Sequence, residues 1–387
     1  MDEVSNPHCW DALMTVITYL STIRFDAGAI AQAPEALAAA GIRRPLVVTD
    51  AGVVKAGLLE RLTAALTSNP PVFDATPANP TEAAVEAAMT LFRDQGCDGL
   101  VALGGGSSLD LAKGVALCAT HPGPLASYAA ISGGVDRITA ATAPVLAIPT
   151  TAGTGSEVGR AALLTLRDGR KLGFISPHLI PRQAICDPDL TLGLPAYLTA
   201  ATGLDALTHC VETYLSPRIN PPADAIALDG AARAWTWLPR AVANGADAQP
   251  RWEMMMASLE GGLTFQKGLG AVHGLSHALG ASRDPVLHHG TLNAVLLPPV
   301  LRFNAGMVPE KYDRLRQVLG LPLGTDLADA IEAFVAALGL PTRLGLMGVR
   351  ADMLADAAAG AVLDHSTATN PRPIDRQQYE ALLLQVL

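Results

Sequence analysis

Short apolar runs alternate with amphipathic segments through the first half of the chain. Residues 45–50, 99–103 and 145–148 are mostly apolar and have the length of buried strands. Between the first two runs, residues 83–95 repeat apolar side chains at the spacing of one helix face. Buried strands that alternate with helices predict a parallel sheet covered by helices on both faces, which is an α/β fold.

The pattern changes near residue 190, where prolines bracket residues 188–195. Beyond this point Ala and Leu dominate, and apolar side chains recur at helical spacing with few β-branched runs. The segments with this spacing are 204–215, 223–238, 251–265 and 327–338. We therefore predict two domains, an α/β domain over residues 1–190 and an α-helical domain over residues 191–387.

Composition and charge narrow the class of protein further. The chain has 387 residues, of which 50% are hydrophobic and 16% are charged, as expected of a folded protein with a sizeable core. The formal net charge is −9 and no basic block offsets it. Nucleic acid and anionic membrane surfaces are therefore not expected as partners.

Cysteine usage and the N-terminus indicate a cytoplasmic protein. The five cysteines form no CxxC motif and no regular framework, which is typical of free thiols in a reducing compartment. Asp2 and Glu3 stand where a signal peptide would be cationic. The longer uncharged runs, 114–135 and 138–156, are broken by Pro and Gly, so we predict no membrane span.

Two polar, glycine-rich loops follow predicted strands and could bind a phosphate group. In the first, Gly104 to Gly106 precede Ser107, and a helix opens near Leu109. Glycines allow close backbone approach, and the free N–H groups of a helix N-terminus attract an anion. The loop is neither a GxGxxG motif nor a P-loop. An ordinary strand–helix turn is the simpler alternative.

The second loop, residues 149–157, carries hydroxyls and glycines that could line the same cofactor. A polar turn with Ser156 as a helix cap is the alternative. Asp50 ends an earlier strand, where an acid can accept hydrogen bonds from the ribose of NAD, or else simply cap a helix. Because Asp50 precedes the glycine loop, the order differs from that of a standard Rossmann fold.

Histidines concentrate in the second half of the chain. Asp205 and His209 are four residues apart, as are His273 and His277, so each pair shares one helix face. His288 and His289 add a third segment. One carboxylate and three imidazoles suit Fe²⁺ or Zn²⁺. Packed or capping histidines are the alternative.

Seven segments together resemble the iron-containing (group III) alcohol dehydrogenase family. They run in the family's order over most of the chain: GGGSSLDLAKG (104–114), PTTAGTGSEV (149–158), the segment from Asp187 to Pro195, TGLDALTHCVETY (202–214), GLGAVHGLSHALG (268–280), HHGTLNAVLLPPVLRFN (288–304) and DHSTATNPRP (364–373). The resemblance implies an active site in the cleft between an N-terminal nucleotide-binding domain and a helical C-terminal domain.

The resemblance also implies roles for individual residues. The metal ligands would be Asp205, His209, His273 and His289. His277 would lie near the substrate as the candidate catalytic residue. The chain between Gly280 and His289 is longer than the commonest family pattern, so His288 stays an alternative fourth ligand. The candidate cofactor-binding residues are Asp50, Gly105, Gly106, Ser107, Asp110, Thr150, Thr151 and Ser156.

The function implied is a metal-dependent, NAD-linked alcohol dehydrogenase, or an aldehyde reductase in the reverse direction, with Fe²⁺ as the metal and Zn²⁺ as the alternative. The metal would polarise the substrate oxygen while hydride passes to or from the nicotinamide. Glycerol dehydrogenase, maleylacetate reductase and dehydroquinate synthase chemistry are alternatives within the superfamily, and a non-enzymatic metal- or nucleotide-binding protein is a third hypothesis. Sparse Arg and Lys near the histidine segments disfavour a multi-anionic substrate. An early strand over residues 19–25 could contribute to a homodimer.

Overall fold

The first half of the molecule is built on one parallel sheet. The computed structural model describes residues 21–66 and 68–387. The strands are β1 (Thr22–Phe25), β2 (Pro45–Val48), β3 (Val72–Phe73), β4 (Gly99–Gly104), β5 (Val145–Pro149), β6 (Ala161–Thr165), β7 (Lys171–Ile175) and β8 (Gln183–Cys186). Within the described chain, six of them form a sheet in the order β1-β8-β5-β4-β2-β3, and β6 pairs with β7 in an antiparallel hairpin.

Helices cover this sheet as the alternating pattern predicts. They are α1 (Ala33–Ala40), α2 (Ala51–Lys55), α3 (Leu58–Ala65), α4 (Glu82–Asp94) and α5 (Gly106–Thr120). The Thr81 side chain caps α4 by accepting the Ala84 N–H. The helix α5 begins three residues earlier than predicted, since Gly106 to Ser108 already form its first turn.

The second half is helical, and in the described residues no strand follows β8. Its helices are α6 (Ala196–Leu215), α7 (Pro221–Ala243), α8 (Ala248–Leu263), α9 (Ala271–Leu279), α10 (His289–Asn304), α11 (Pro309–Val318), α12 (Leu327–Ala337), α13 (Leu354–Leu363) and α14 (Arg376–Gln385). Apolar residues on several sides of α6 are buried because α7, α8 and α10 all pack against it. The predicted fold class is confirmed.

The register of the sheet brings the two polar loops together. Strands β4 and β5 are neighbours, and Gly104 at the end of one pairs with Pro149 at the end of the other. The Thr150 N–H donates to the Gly104 carbonyl at 3.0 Å, so both loops leave the sheet at the same edge. The carboxyl ends of parallel strands are where ligands bind in open α/β sheets.

The early strand is partly described. Thr22–Phe25 forms β1 at the edge of the sheet, whereas Tyr19 and Leu20 lie outside the described residues. A search of the described helices finds none with the length and apolar character that crossing a bilayer would require.

Candidate metal and nucleotide site

Four side chains that are distant in sequence converge in the helical half, and we call them the four-donor cluster. Asp205 and His209 come from α6, His273 from α9, and His289 from the first turn of α10. One ligand atom from each lies within 4.8 Å of all the others. Asp205 Oδ1 lies 3.4 Å from His209 Nε2, 3.8 Å from His273 Nε2 and 3.6 Å from His289 Nε2. A tetrahedral metal with bonds of about 2.1 Å has donor–donor edges of about 3.4 Å.

Each histidine of the cluster has a partner on its other ring nitrogen. His209 Nδ1 lies 3.2 Å from the Gly153 carbonyl, and His289 Nδ1 lies 3.4 Å from Ser276 Oγ. His273 Nδ1 lies 2.6 Å from Glu212 Oε2. His209 and His273 donate their Nδ1 protons to the Gly153 carbonyl and the Glu212 carboxylate. Their Nε2 lone pairs are therefore free and point towards the centre of the four-donor cluster.

Burial determines how these groups are protonated when no metal is bound. It holds the pKa of His209, His273 and His289 well below their usual range, so the imidazoles are neutral and free to bind a cation. Burial also raises the pKa of Asp205 to about 8. A buried carboxylate beside three neutral imidazoles lacks a full counter-charge, and a divalent cation would supply it. The residues therefore fit the metal.

Asn293, four residues after His289 on α10, also reaches the cluster. Its Nδ2 donates to Asp205 Oδ1 at 2.7 Å and lies 3.2 Å from both His273 Nε2 and His289 Nε2. The space between the four donor side chains thus accommodates the positively polarised NH2 group of Asn293. Its buried Oδ1 has no hydrogen-bond partner among the described residues.

The structure separates the two adjacent histidines that the sequence left as alternatives. His289 belongs to the four-donor cluster. The His288 side chain is exposed and caps α10, with Nδ1 accepting the Thr291 N–H at 3.4 Å. Only His289 is therefore in position to share a metal with Asp205.

His277 lies beside the cluster without joining it. Its ring stacks on His289 with centroids 5.4 Å apart and on His365 at 5.9 Å. His277 Nδ1 lies 2.9 Å from Asp364 Oδ2. Burial would raise the pKa of Asp364, but the charge and hydrogen bond of His277 lower it below its usual value. The carboxylate therefore stays ionised and orients the His277 ring.

The glycine loop packs tightly on the second loop. A Cβ on Gly106 would lie 2.7 Å from Thr154 Cγ2, and one on Gly105 would lie 3.4 Å from the Thr151 side chain. Larger residues would therefore push the two loops apart. Gly105, Gly106 and Ser107 at the start of α5, and Thr150 and Thr151 opposite, form one polar rim with helix N–H groups available for an anion.

Asp50 lies at the same rim and also caps a helix. Its Oδ1 accepts the Gly52 N–H at 2.8 Å and the Val53 N–H at 3.0 Å, so it is the N-cap of α2. Its Oδ2 accepts the Ser108 hydroxyl at 3.3 Å, which ties Asp50 to the helix that follows the glycine loop.

Asp110 and Ser156 face each other between the two loops, and a buried lysine holds them there. Asp110 accepts the Ser156 hydroxyl at 2.7 Å and the Leu163 N–H at 2.9 Å. Lys113 is fully buried, and its Nζ donates to the Ser156 hydroxyl and to the carbonyls of Ser156, Gly159 and Ala161. These hydrogen bonds hold the second loop against α5.

Sequence reasoning missed four residues of this site, each at a regular spacing from a residue that it found. Glu212 is seven residues after Asp205, two helical turns on, so it shares that face of α6. Asn293 follows His289 by four residues, and Lys113 follows Asp110 by three. Asp364 directly precedes His365, inside a motif that the resemblance had already singled out.

Family models match both halves of the chain. One, described as iron-containing alcohol dehydrogenase, matches residues 21–188. Another, the C-terminal part of the Fe-containing alcohol dehydrogenase family, matches residues 199–387. The chain belongs to the iron-containing alcohol dehydrogenase family. The predicted family, fold and enzyme class are thereby confirmed.

Individual relatives cover almost the whole chain. A 4-hydroxybutyrate dehydrogenase of Cupriavidus necator is 53% identical over 380 residues, which is 96% of this chain and 100% of the relative. A crystal structure of 1,3-propanediol oxidoreductase superposes with a TM-score of 0.91 at 35% identity, over 96% of this chain and 100% of that one. A sulfoacetaldehyde reductase from Bifidobacterium kashiwanohense, solved in complex with NAD⁺, superposes with a TM-score of 0.86 at 28% identity, over 96% and 99%.

This iron-type alcohol dehydrogenase is therefore an NAD-linked, metal-dependent oxidoreductase that interconverts an alcohol and an aldehyde, as the resemblance implied. Its substrates are small molecules.

Proposed function

We propose that this enzyme oxidises a primary alcohol that carries a carboxylate at its far end, of the 4-hydroxybutyrate type, and reduces the corresponding aldehyde acid. The convergence of Asp205, His209, His273 and His289 on one point carries the assignment of the reaction centre. The 53% identity to a 4-hydroxybutyrate dehydrogenase over the full length of that relative supports the substrate class.

The four-donor cluster would hold the metal, and the polar rim of the two loops would hold the nucleotide. When bound, the divalent ion supplies Lewis-acid polarisation of the substrate oxygen and the nicotinamide supplies or accepts the hydride. Gly105, Gly106 and Ser107 would lie against the pyrophosphate, with Thr150 and Thr151 facing them. Asp50 would accept hydrogen bonds from a ribose hydroxyl and disfavour the extra phosphate of NADP.

His277 would move the proton that accompanies the reaction. Its Nδ1 proton is held by Asp364 at 2.9 Å, which leaves Nε2 as the atom that gives or takes a proton. The ring lies against His289 and is buried, so the proton passes beside the cluster rather than through bulk water. Asp364 stabilises the imidazolium that forms during this transfer.

A metal titration tests the reaction centre. Anaerobically purified protein should contain about one divalent ion per chain, and thorough chelation should abolish NADH-linked turnover. His273→Ala removes one Nε2 donor and should lose both the metal and the activity. Full activity after chelation, or a metal-loaded His273→Ala protein that still turns over, would refute the centre.

A substrate panel tests the reaction class. NAD reduction should be followed with 4-hydroxybutyrate, 1-butanol and glycerol, and NADH oxidation with maleylacetate and short aldehydes. We expect the highest kcat/KM with 4-hydroxybutyrate. A clear preference for glycerol or maleylacetate would instead favour one of the related superfamily activities.

We also propose a domain boundary near residue 190, a homodimer and a cytoplasmic location. The two matched regions, which end at 188 and begin at 199, support the boundary. Among the described residues β1 is an edge strand, whose outer backbone groups could pair with a second copy. The described cysteines, Cys97, Cys118, Cys186 and Cys210, are all free, which suits a reducing compartment. Light scattering and cell fractionation would test the last two proposals.

A further inference from the structure

Two arginines lie on either side of Phe265 and Gln266, and the Phe265 ring contacts His209 of the four-donor cluster. Arg160 follows the second loop directly and precedes β6, whereas Arg218 follows the end of α6. The segment at Phe265 and Gln266 connects them, because Arg218 Nη1 donates to the Gln266 carbonyl at 3.5 Å and a Cβ on Gly159 would lie 3.3 Å from Phe265 Cδ2. Both side chains are exposed.

Within the described residues, neither guanidinium has an acidic partner. Other arginines on the surface, such as Arg167, Arg233 and Arg302, form ion pairs with Glu or Asp. Arg160 forms none, and its pKa is lowered first by partial burial and then by the charge of Arg218. Two guanidiniums without an acidic partner, on either side of Phe265 and Gln266, offer N–H donors and positive charge to an anion.

The apolar side chain of Phe265 lies between these two arginines and the four-donor cluster. The Phe265 ring contacts the His209 ring edge-on, with centroids 4.8 Å apart, and it also lies near Gly159, the residue before Arg160. Phe265 is half-buried, so part of its surface remains open to a ligand. A ligand that spans from the cluster to the arginines would cross a short apolar stretch before it met a positive charge.

Two lysines near the site have partners of their own. Lys171 donates to Asn79 Oδ1 at 3.1 Å, and the charges of Asp110, Asp205 and Asp364 act on it. Lys267 is buried and bonded to Asp224. By contrast, no acidic side chain among the described residues forms an ion pair with Arg160 or Arg218, and both arginines lie outside the histidine segments.

We propose that Arg160 and Arg218 bind the terminal carboxylate of the substrate, with Phe265 packed against its short alkyl chain and its alcohol or aldehyde end at the four-donor cluster. This inference rests on the proposed function and names the residues that select its substrate class. The pair lies next to Phe265, which contacts His209 of the four-donor cluster, whereas Asp50 bonds to Ser108 behind the glycine loop. The anion that it receives is therefore that of the substrate and not a phosphate of the dinucleotide.

The test compares two alcohols of the same chain length, 4-hydroxybutyrate and 1-butanol, with metal-loaded enzyme and saturating NAD. In Arg160→Gln and in Arg218→Gln, the ratio of kcat/KM for 4-hydroxybutyrate to that for 1-butanol should fall about 10- to 100-fold, which is the range for a lost charge-assisted hydrogen bond. The change should lie mainly in KM, because the carboxylate does not react. Arg160→Lys should keep part of the preference.

Arg376→Gln is the matched control. Arg376 is exposed on α14, pairs with Glu380 of the same helix, and its loss changes the net charge equally. The control should keep the wild-type ratio. Calorimetry with butyrate gives a readout without turnover, in which Arg160→Gln should weaken binding by a similar factor. Melting temperatures confirm that every variant is folded.

The outcomes are distinguishable. A wild-type enzyme that prefers 4-hydroxybutyrate, and keeps that preference in both glutamine variants, overturns the assignment of the arginines but not the proposed function. A wild-type enzyme that uses both alcohols equally overturns carboxylate recognition, and with it the substrate class of the proposed function, while leaving an alcohol dehydrogenase. Turnover of neither alcohol overturns the proposed function itself. A selective fall in the two variants supports the inference.

Discussion

Glu212 illustrates how a residue that binds no metal can set the geometry of a metal site. Its Oε2 lies 2.6 Å from His273 Nδ1, and its Oε1 accepts the Val272 N–H at 2.8 Å. Burial raises the pKa of Glu212 to about 7, while the backbone N–H bonds favour its ionised form. The carboxylate therefore fixes both the tautomer of His273 and the direction of its ring.

Glu212→Gln should weaken metal binding about 10- to 100-fold, the usual cost of losing such a support. Glutamine keeps the shape of the side chain, but its NH2 group cannot accept a hydrogen bond. One of the two bonds that Glu212 accepts, from His273 Nδ1–H and from the Val272 N–H, is therefore lost. Chelator competition with Zn²⁺ measures the affinity without turnover. Glu332→Gln, at a partly exposed position of α12 that pairs with Arg302, is the control. Equal affinities in both variants would mean that Glu212 does not support the site.

At the scale of elements, the site depends on how closely α10 approaches α6. A Cβ on Gly290 would lie 2.2 Å from the Ala201 carbonyl oxygen of α6 and 3.4 Å from Asp205 Cβ. Only glycine allows this approach, which brings His289 from the first turn of α10 to the donors on α6. One residue thereby couples the packing of two helices to the spacing of the four-donor cluster.

Gly290→Ala should therefore separate the helices, lower the free energy of unfolding by roughly 1–3 kcal/mol, and weaken metal binding by displacing His289 from Asp205. Thermal unfolding and chelator competition report the two effects. Gly306→Ala is the matched control, because a Cβ there would meet no atom within 4 Å. A Gly290→Ala protein with wild-type stability would show that the helices can move apart without cost.

At the scale of the whole molecule, buried carboxylates make stability depend on pH. Burial raises the pKa of Glu157 to about 7 and those of Asp205 and Glu260 to about 8. The folded metal-free protein thus holds protons that the unfolded chain releases, so stability falls as pH rises through these values. The buried histidines, whose pKa values are lowered, act in the opposite direction but only below about pH 6.5, the unfolded value.

Glu260 allows this to be tested away from the metal. Between pH 6.5 and 8 the wild-type metal-free protein should lose stability, and Glu260→Gln should reduce that loss by on the order of 1 kcal/mol, since glutamine does not titrate. Chemical denaturation at the two pH values measures the difference. A pH dependence that is the same in wild type and variant would show that Glu260 is ionised throughout.

Periodicity and spacing alone determined much of this protein. The apolar runs predicted strands β2, β4 and β5 and the helical second half, because burial patterns are local to an element. The spacing of Asp205 and His209 placed two donors on one face, since a helix brings residues four apart together. The glycine loops were visible because their residue types serve a local backbone geometry.

Tertiary structure decided what depends on the direction of side chains and on contacts between distant segments. His288 and His289 are adjacent, and only the start of α10 and its packing on α6 determine which of them meets Asp205. Glu212 supports His273 across two helices, and the turn at Phe265 and Gln266 lies between Arg160 and Arg218. Such contacts are set by how whole elements pack, which no local pattern of residues specifies.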